Sequence, residues 1–354
     1  HHAAALRGAA KALPADSPAY LVYLANLLSG AADRRETEGE SDAYRRELPL
    51  DAGFTHLNGS HPGWMMPAQP QDGSLKLPQK SQPLSAAVYA EAVHTLEAQL
   101  PQLQPQPEQL GKLLGLLETQ LGCFPSSIYP GDGADISLFD HAKTTAAIAA
   151  CLSEYVQANN ITDLRKALFE QEKDFCQKDV FLLYTADFSR IQKFLYTVHT
   201  ENALRSLRSR SFFLELFMEH YLDELLAGCG VSRANLIYSG GGHCYVLLPN
   251  TAAVADTLTR WNRQFNRWLQ QQFGTQRLGH LAQLAVGADF RALEDAVRQT
   301  EFAEHGFHPL PELDLREQIG GQCHLPVGRC GAGVSDGHGA KKKFPILAQR
   351  HFPG

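Results

Sequence analysis

Four groups of residues in this sequence have the types and spacing to do chemistry. Ser137-Leu138-Phe139-Asp140 has the S-x-x-D spacing of a helix capping box, and His141 follows it directly. The cap accounts for Ser137 and Asp140. His141 has no such duty, and its imidazole, with Asp140 and the His1-His2 pair, could ligate a metal, which needs several convergent donors. One His-Asp pair is a weak signal by itself, and His1-His2 reads equally as the remnant of a tag or of a removed segment. Cys323-x6-Cys330, with His324 and His338 nearby, could form part of a zinc site; the short C-x2-C spacing is absent, and free structural cysteines explain it as simply. Arg205, Arg208 and Arg210 interleave with Ser206, Ser209 and Ser211 beside an expected helix start. Hydroxyls, guanidiniums and helix N–H groups suit a phosphate-bearing ligand, or a solvated, capped helix entrance. Lastly, Ser239-Gly240-Gly241-Gly242-His243 joins two apolar runs. Its glycines serve either a tight hairpin turn or a backbone that approaches a phosphate or a base. That tip holds no carboxylate and Asp187 has no carboxylate neighbour in sequence, so two-metal nucleotidyl transfer is not expected on this unit alone. Base stacking in the manner of an RNA-recognition module also fits poorly, because Tyr245 is the sole aromatic in Cys244–Leu248.

The elements that must position these groups divide in two. In the first 165 residues the pattern is helical. Ser17-Pro18 is a cap with proline at the first helical position, and Leu21, Val22, Leu24, Ala25 and Leu28 form an apolar stripe closed by Asp33-Arg34-Arg35-Glu36. Residues 58–107 are proline-rich loops around one helix near Leu84–Leu100, and helices are expected again at Leu110–Leu121 and Ile136–Tyr155. From Val180 the period changes. Val180–Asp187 is a short apolar run with an acidic end, which suggests a buried strand. A helix follows from Ser211 to about Ala227, with Phe212, Phe213, Leu216, Phe217, His220 and Tyr221 on one face. Strands at Asn235–Ser239 and Cys244–Leu248 flank the glycines. Val254, Leu258, Trp261, Phe265 and Trp268 then mark a helix, and Leu281–Phe290 a last strand. The order β-α-β-β-α-β is that of a ferredoxin-like split βαβ unit. The expectation is an α+β chain: an all-α domain over 1–165, a ferredoxin-like domain over 178–292, and an irregular, zinc-binding or cysteine-bearing stretch over 293–354.

Composition sets the outer limits. The chain has 354 residues, 44% hydrophobic and 20% charged, with a net charge of −6, so no global basic field draws it to nucleic acid. It contains no apolar run of membrane-spanning length, and its seven scattered cysteines do not read as a disulfide framework, so a reducing cytoplasm is the simplest compartment. The chain opens on His1-His2 and its only methionines are Met65, Met66 and Met218, from which a piece of something larger is expected.

Several of these stretches together resemble a known family. Ala134–Ala149, which contains Asp140-His141, resembles the late helix of the HD domain in the large subunit of type III CRISPR effector complexes. Tyr184-Thr185-Ala186-Asp187-Phe188-Ser189-Arg190-Ile191-Gln192-Lys193-Phe194, Leu204–Phe212 and Asn235–His243 resemble, in order, that family's first palm domain. Asp33-Arg34-Arg35-Glu36 points to the Csm (III-A) branch. The resemblance covers about residues 1–290. It implies an HD-type helical domain that cuts single-stranded DNA with Mg²⁺ or Mn²⁺, and a palm that, paired with a second palm, binds ATP and makes cyclic oligoadenylate when target RNA is bound. It also implies a zinc-binding linker at Cys323 and Cys330. Its partners would be CRISPR RNA, target RNA, single-stranded DNA and the Csm backbone and small subunits, in the cytoplasm and with no membrane. In this sequence the implied nucleotide half-site is Asp187, Phe188, Ser189, Ser211, Gly240, Gly241 and Gly242, and the implied HD residues are His1, His2, Asp140 and His141. Three departures stand out. The His-Asp dyad that opens the family's HD domain is expected upstream of His1, Ala25-Asn26 puts an amide, a weaker ligand, in the place of a ligand carboxylate, and no Gly-Gly-Asp-Asp occurs. The resulting expectation is part of such a large subunit: an HD remnant and a complete, non-catalytic palm. Two other readings stand beside it, a scaffold subunit that only assembles the ribonucleoprotein, and an unrelated HD phosphohydrolase fused to a sensor module.

Overall fold

A computed structural model describes residues 8, 13–33, 45–53, 64–68, 77–103, 106, 109–129, 134–188, 191–196, 202–273 and 278–286; for 192, 193, 273 and 278–286 the backbone alone is described. Helix α1 (Ala19–Asp33) starts where Ser17 caps it, the Ala19 N–H reaching Ser17 Oγ at 3.4 Å and the Tyr20 N–H reaching the Ser17 carbonyl at 3.2 Å. It buries Tyr20, Tyr23, Leu24, Ala25 and Leu28, whereas Val22, expected on that stripe, is 55% exposed. A two-residue ladder pairs β1 (Trp64–Met65) with β2 (Gln79–Lys80). Helices α2 (Ala86–Gln99) and α3 (Leu110–Leu121) follow, then the long α4 (Leu138–Ala158), which lies along α1, and the single turn α5 (Glu172–Phe175).

Beyond this helical part the chain builds β3 (Phe181–Phe188), α6 (Ile191–Tyr196), α7 (Ala203–Gly228), β4 (Leu236–Gly240), β5 (His243–Pro249), α8 (Ala252–Phe273) and β6 (Leu278–Val286). The four strands form one sheet in the order β4-β5-β3-β6 with every neighbouring pair antiparallel. Non-adjacent strands are thus joined through α7 and through α8, which is the split βαβ connectivity. Because β3 is central, its alternate residues enter two different cores. Leu182, Tyr184, Ala186 and Phe188 face α7 and α8 together with Met218, Tyr221, Leu222, Leu225, Val254 and Leu258. Phe181 and Leu183 face the other way, against Tyr20, Leu24, Ile148, Leu152, Leu168 and Phe175. The helical part therefore forms a third layer that covers the first half of β3. A continuous apolar run is the sequence such a strand needs.

Asn235 ties these layers together. It is fully buried, and its Nδ2 donates to the Leu247 carbonyl at 2.9 Å on the sheet and to the Ala147 carbonyl at 3.2 Å on α4. Nearby, Arg233 donates to Glu219 at 2.5 Å and to Asp223 at 2.7 Å, clamping the entrance of β4 to α7.

Two elements differ from the expected bounds. Helix α7 begins at Ala203 rather than Ser211, after Asn202 turns the chain in the left-handed region at φ 58°. Leu204, Arg205, Leu207 and Arg208 are good helix formers, so the serines that resemble a cap are carried inside a helix already under way. Its buried face is Met218, Tyr221, Leu222, Leu225 and Leu226, while Phe212, Phe213 and Leu216 are exposed. Strand β6 begins three residues before the expected Leu281. Among the described residues no helix is long and apolar enough to cross a membrane.

Candidate functional site

On the helical side, α4 places His141 one turn from its cap. The Asp140 N–H donates to Ser137 Oγ at 3.0 Å, and the Ser137 hydroxyl returns a bond to Asp140 Oδ2 at 2.7 Å, so both residues act as the cap expected of them. His141 crosses to α1, its Nε2 3.1 Å from Asn26 Oδ1 and its Nδ1 3.2 Å from Ser29 Oγ. His141, a candidate metal ligand, and Asn26, which stands where the resemblance expects an aspartate, are therefore neighbours in space although 115 residues apart. Both nitrogens of the ring are engaged by an amide and a hydroxyl, which are poor substitutes for carboxylate and imidazole ligands. Among the described residues no group of three or more His, Cys, Asp and Glu side chains gathers around a common point. These residues alone do not fit a divalent metal. His1 and His2, and the pair Cys323 and Cys330 read as a zinc site, lie outside the described residues. Two residues on from His141, burial pushes the Lys143 ammonium below its ordinary value while Asp140 and Glu118 pull it back up.

The second constellation is the tip of the sheet. Gly240 pairs with His243, and Gly241 and Gly242 make the two-residue turn with φ of 62° and 86°. Positive φ at both central positions is the primed hairpin geometry that glycine permits. The three glycines do different things. A methyl on Gly240 would fall 2.7 Å from the Tyr238 hydroxyl, and one on Gly242 would collide with Ile191 Cδ1 and lie 3.3 Å from Phe188. Only Gly241 opens on space. The Phe188 N–H donates to the Gly242 carbonyl at 3.0 Å, fastening the end of β3 to the tip. Phe188 itself is buried and stacks on Phe217 at 5.3 Å, so it supports the tip from below.

Beyond the helical layer, one face of the sheet carries exposed side chains among the described residues. Asp187 is exposed there at the end of β3, paired in register with His243. The His243 Nε2 lies 3.4 Å from Thr185 Oγ1, and its ring meets the Tyr245 ring edge-on at 4.7 Å. Tyr238 pairs with Tyr245 across β4 and β5 and is 39% exposed. A bulge between Leu236 and Tyr238 shifts the alternation, so Tyr238 follows Ile237 onto this face. Sequence reasoning missed Tyr238 and Thr185 and carried His243 only as the end of the glycine tip, and only the bulge could have shown where Tyr238 goes. Ser211 does not join this group as a helix start, since it stands well inside α7, its N–H within the helix ladder. Ser189 lies outside the described residues.

With this geometry in hand, comparison with known proteins is decisive. The family model described as Csm1 subunit domain B matches residues 180–299, which take in the whole sheet. The Cas10/Csm1 single-strand-specific deoxyribonuclease of subtype III-A from Mycobacterium tuberculosis is 37% identical over 309 residues, covering 84% of this chain and 37% of that protein. Residues 180–299 thus match the Csm1 domain B family, and the chain as a whole is similar to a segment of Cas10/Csm1. Its counterpart from Enterococcus italicus is 35% identical over 280 residues, again across 37% of the relative. The chain thus spans a little over a third of the length of the Cas10/Csm1 relatives it matches. Among solved structures, a Csm1–Csm4 cassette in complex with cA4 superposes with a TM-score of 0.62 at 26% identity, over 80% of this chain and 36% of that one. A Csm1–Csm4 cassette with AMPPNP superposes equally well, with a TM-score of 0.62 at 26% identity over 79% of this chain and 35% of that one.

Proposed function

We propose that this chain provides the HD remnant and the first, non-catalytic palm of a type III-A CRISPR large subunit, and that the sheet tip forms one half of an ATP site completed by a second palm. One observation carries the reading. The open tip combines a turn that can lie against a ligand at Gly241, an exposed carboxylate at Asp187 and an aromatic wall of Tyr238, His243 and Tyr245, in a family whose solved members are bound to AMPPNP and cyclic oligoadenylates. A carboxylate without a metal repels polyphosphate, so Asp187 suits the ribose hydroxyls, with the phosphates toward the turn. Phe188 and Gly242 hold the tip and do not touch the nucleotide. In the intact subunit the product is cyclic oligoadenylate, made when target RNA is bound, and the same protein cuts single-stranded DNA. The partners are CRISPR RNA, target RNA and the Csm subunits, with Csm4 foremost, since Csm1 is seen assembled with it. The exposed Phe212, Phe213 and Leu216 on α7 give such assembly an apolar surface.

The test is cyclic oligoadenylate synthesis by the effector complex that contains this chain. Replacing Asp187 by Asn or Gly241 by Val should cut the rate at least tenfold while the complex still assembles on CRISPR RNA. Full activity of both variants would refute the half-site. A complex that assembles but makes no product with the native sequence would favour the scaffold reading, which the paired Asn26 and His141 also suit on the nuclease side.

A further inference from the structure

The outer face of α8 is cationic. Arg260, Arg263 and Arg267 recur at i, i+3 and i+7, so they share one stripe of the helix, and all three are exposed. With Asp256, Thr259 and Gln264 they line a depression of about 400 Å³. Asp256 stands four residues before Arg260 and offsets it, whereas Arg267 has no carboxylate three or four residues away along the helix. Arg263 and Arg267 are instead four apart, a like-charge spacing that weakens a helix. After Asp256 the helix carries no acidic residue, although the whole chain is net −6. The opposite face of α8 is committed to the core through Val254, Leu258 and Leu269. Trp268 flanks the stripe, 39% exposed, its ring held by stacking on Phe217 at 5.1 Å.

At about 1.5 Å rise per residue the three guanidiniums spread over roughly 10 Å, more than a single phosphate needs and suited to successive phosphates of an extended strand. An acidic protein would satisfy the charge equally. A nucleobase also stacks on the half-exposed part of an aromatic ring fixed beside a basic groove, a contact that an acidic side chain does not make. We propose that Arg260, Arg263 and Arg267, with Trp268 at their edge, bind the phosphodiester backbone of a single-stranded nucleic acid, the arginines on phosphates and the indole against a base. The site lies on α8, on the opposite side of the sheet from the open tip face, and does not depend on the nucleotide reading of that tip.

Fluorescence anisotropy of the full chain with short, labelled, mixed-sequence single-stranded RNA and DNA tests it, titrated across a range of salt. Replacing all three arginines by Gln should weaken binding at least tenfold at low salt. It should also flatten the slope of log K against log salt by about 2, the value for three phosphate contacts to a single strand. Trp268→Leu should weaken binding several-fold and leave the salt slope unchanged. Circular dichroism of the triple variant should show an intact fold, as removing a like-charge spacing does not destabilise the helix. Equal binding of RNA and DNA assigns the stripe to the phosphodiester backbone they share, and a preference for either identifies that strand as the source. An unchanged salt slope in a folded triple variant would overturn it, as would displacement of the strand by poly-glutamate at equal charge concentration, which would assign the stripe to an acidic protein.

Discussion

Alanine at Gly241 and alanine at Gly242 should have different consequences, although the two residues are adjacent and share a backbone conformation. Both have positive φ, 62° and 86°, so any side chain at either position carries a strain of about 1 kcal/mol. At Gly241 nothing lies within 4 Å of an added methyl, and that strain is the whole effect. At Gly242 the methyl meets Ile191 Cδ1 at the start of α6 and lies 3.3 Å from Phe188 Cδ2. Ile191 can rotate part of its side chain away, but Phe188 is buried and stacked on Phe217, so overpacking adds about 1–3 kcal/mol. The expected losses are therefore about 1 kcal/mol for Gly241→Ala and about 2–4 kcal/mol for Gly242→Ala. Urea unfolding followed by circular dichroism reads the difference as a shift in midpoint at constant slope. Equal losses, or a milder Gly242→Ala, would show that α6 does not pack on the turn and would remove the support on which the open geometry of Gly241 rests.

Three further outcomes follow from the cores. Asn235→Ala leaves the buried carbonyls of Ala147 and Leu247 without their donor and should cost about 2–3 kcal/mol in the same unfolding experiment. His141→Ala removes the polar links from α4 to Asn26 and Ser29 and should cost about 1 kcal/mol, with a proteolysis pattern that loosens at α1 before the sheet. Burial pushes the Cys229 thiol up to about 11 and the Cys244 thiol up to about 12, so at pH 8 both should resist iodoacetamide until the chain unfolds. The sign for stability follows. The unfolded chain gives up these protons near 9 and the folded chain holds them, so the contribution is full below pH 9 and is lost as pH rises toward 11–12. Unfolding midpoints measured from pH 8 upward should fall above pH 9; a flat profile would contradict the buried thiols.

Much of the sheet was legible because its strands announce themselves physically. Val180–Asp187 reads as a buried strand, and β3 is one of the two interior strands; the glycine run reads as a hairpin, and it is one with a two-residue turn. The Ser137–Asp140 cap is likewise local and visible in four residues. What was not legible depends on distance or on parity. His141 meets Asn26 only because α1 lies along α4, and no spacing rule links residues that far apart. Tyr238 reaches the open face only because a bulge shifts the alternation of β4. Ser211 looked like a helix start because serine caps helices, but the propensity of the preceding leucines and arginines extended α7 back to Ala203. The trio of glycines read as one feature separates in three dimensions into two positions of close packing and one that is open.

The proposed half-site at the sheet tip is tested most directly by photo-crosslinking of an azido-ATP in the assembled effector complex, followed by peptide mapping. The account predicts labelling of peptides that contain Asp187 or the Tyr238–Tyr245 hairpin, suppressed by unlabelled ATP and lost when Gly241 is replaced by Val. Labelling that leaves these peptides untouched while ATP-displaceable adducts form elsewhere in the complex would contradict it.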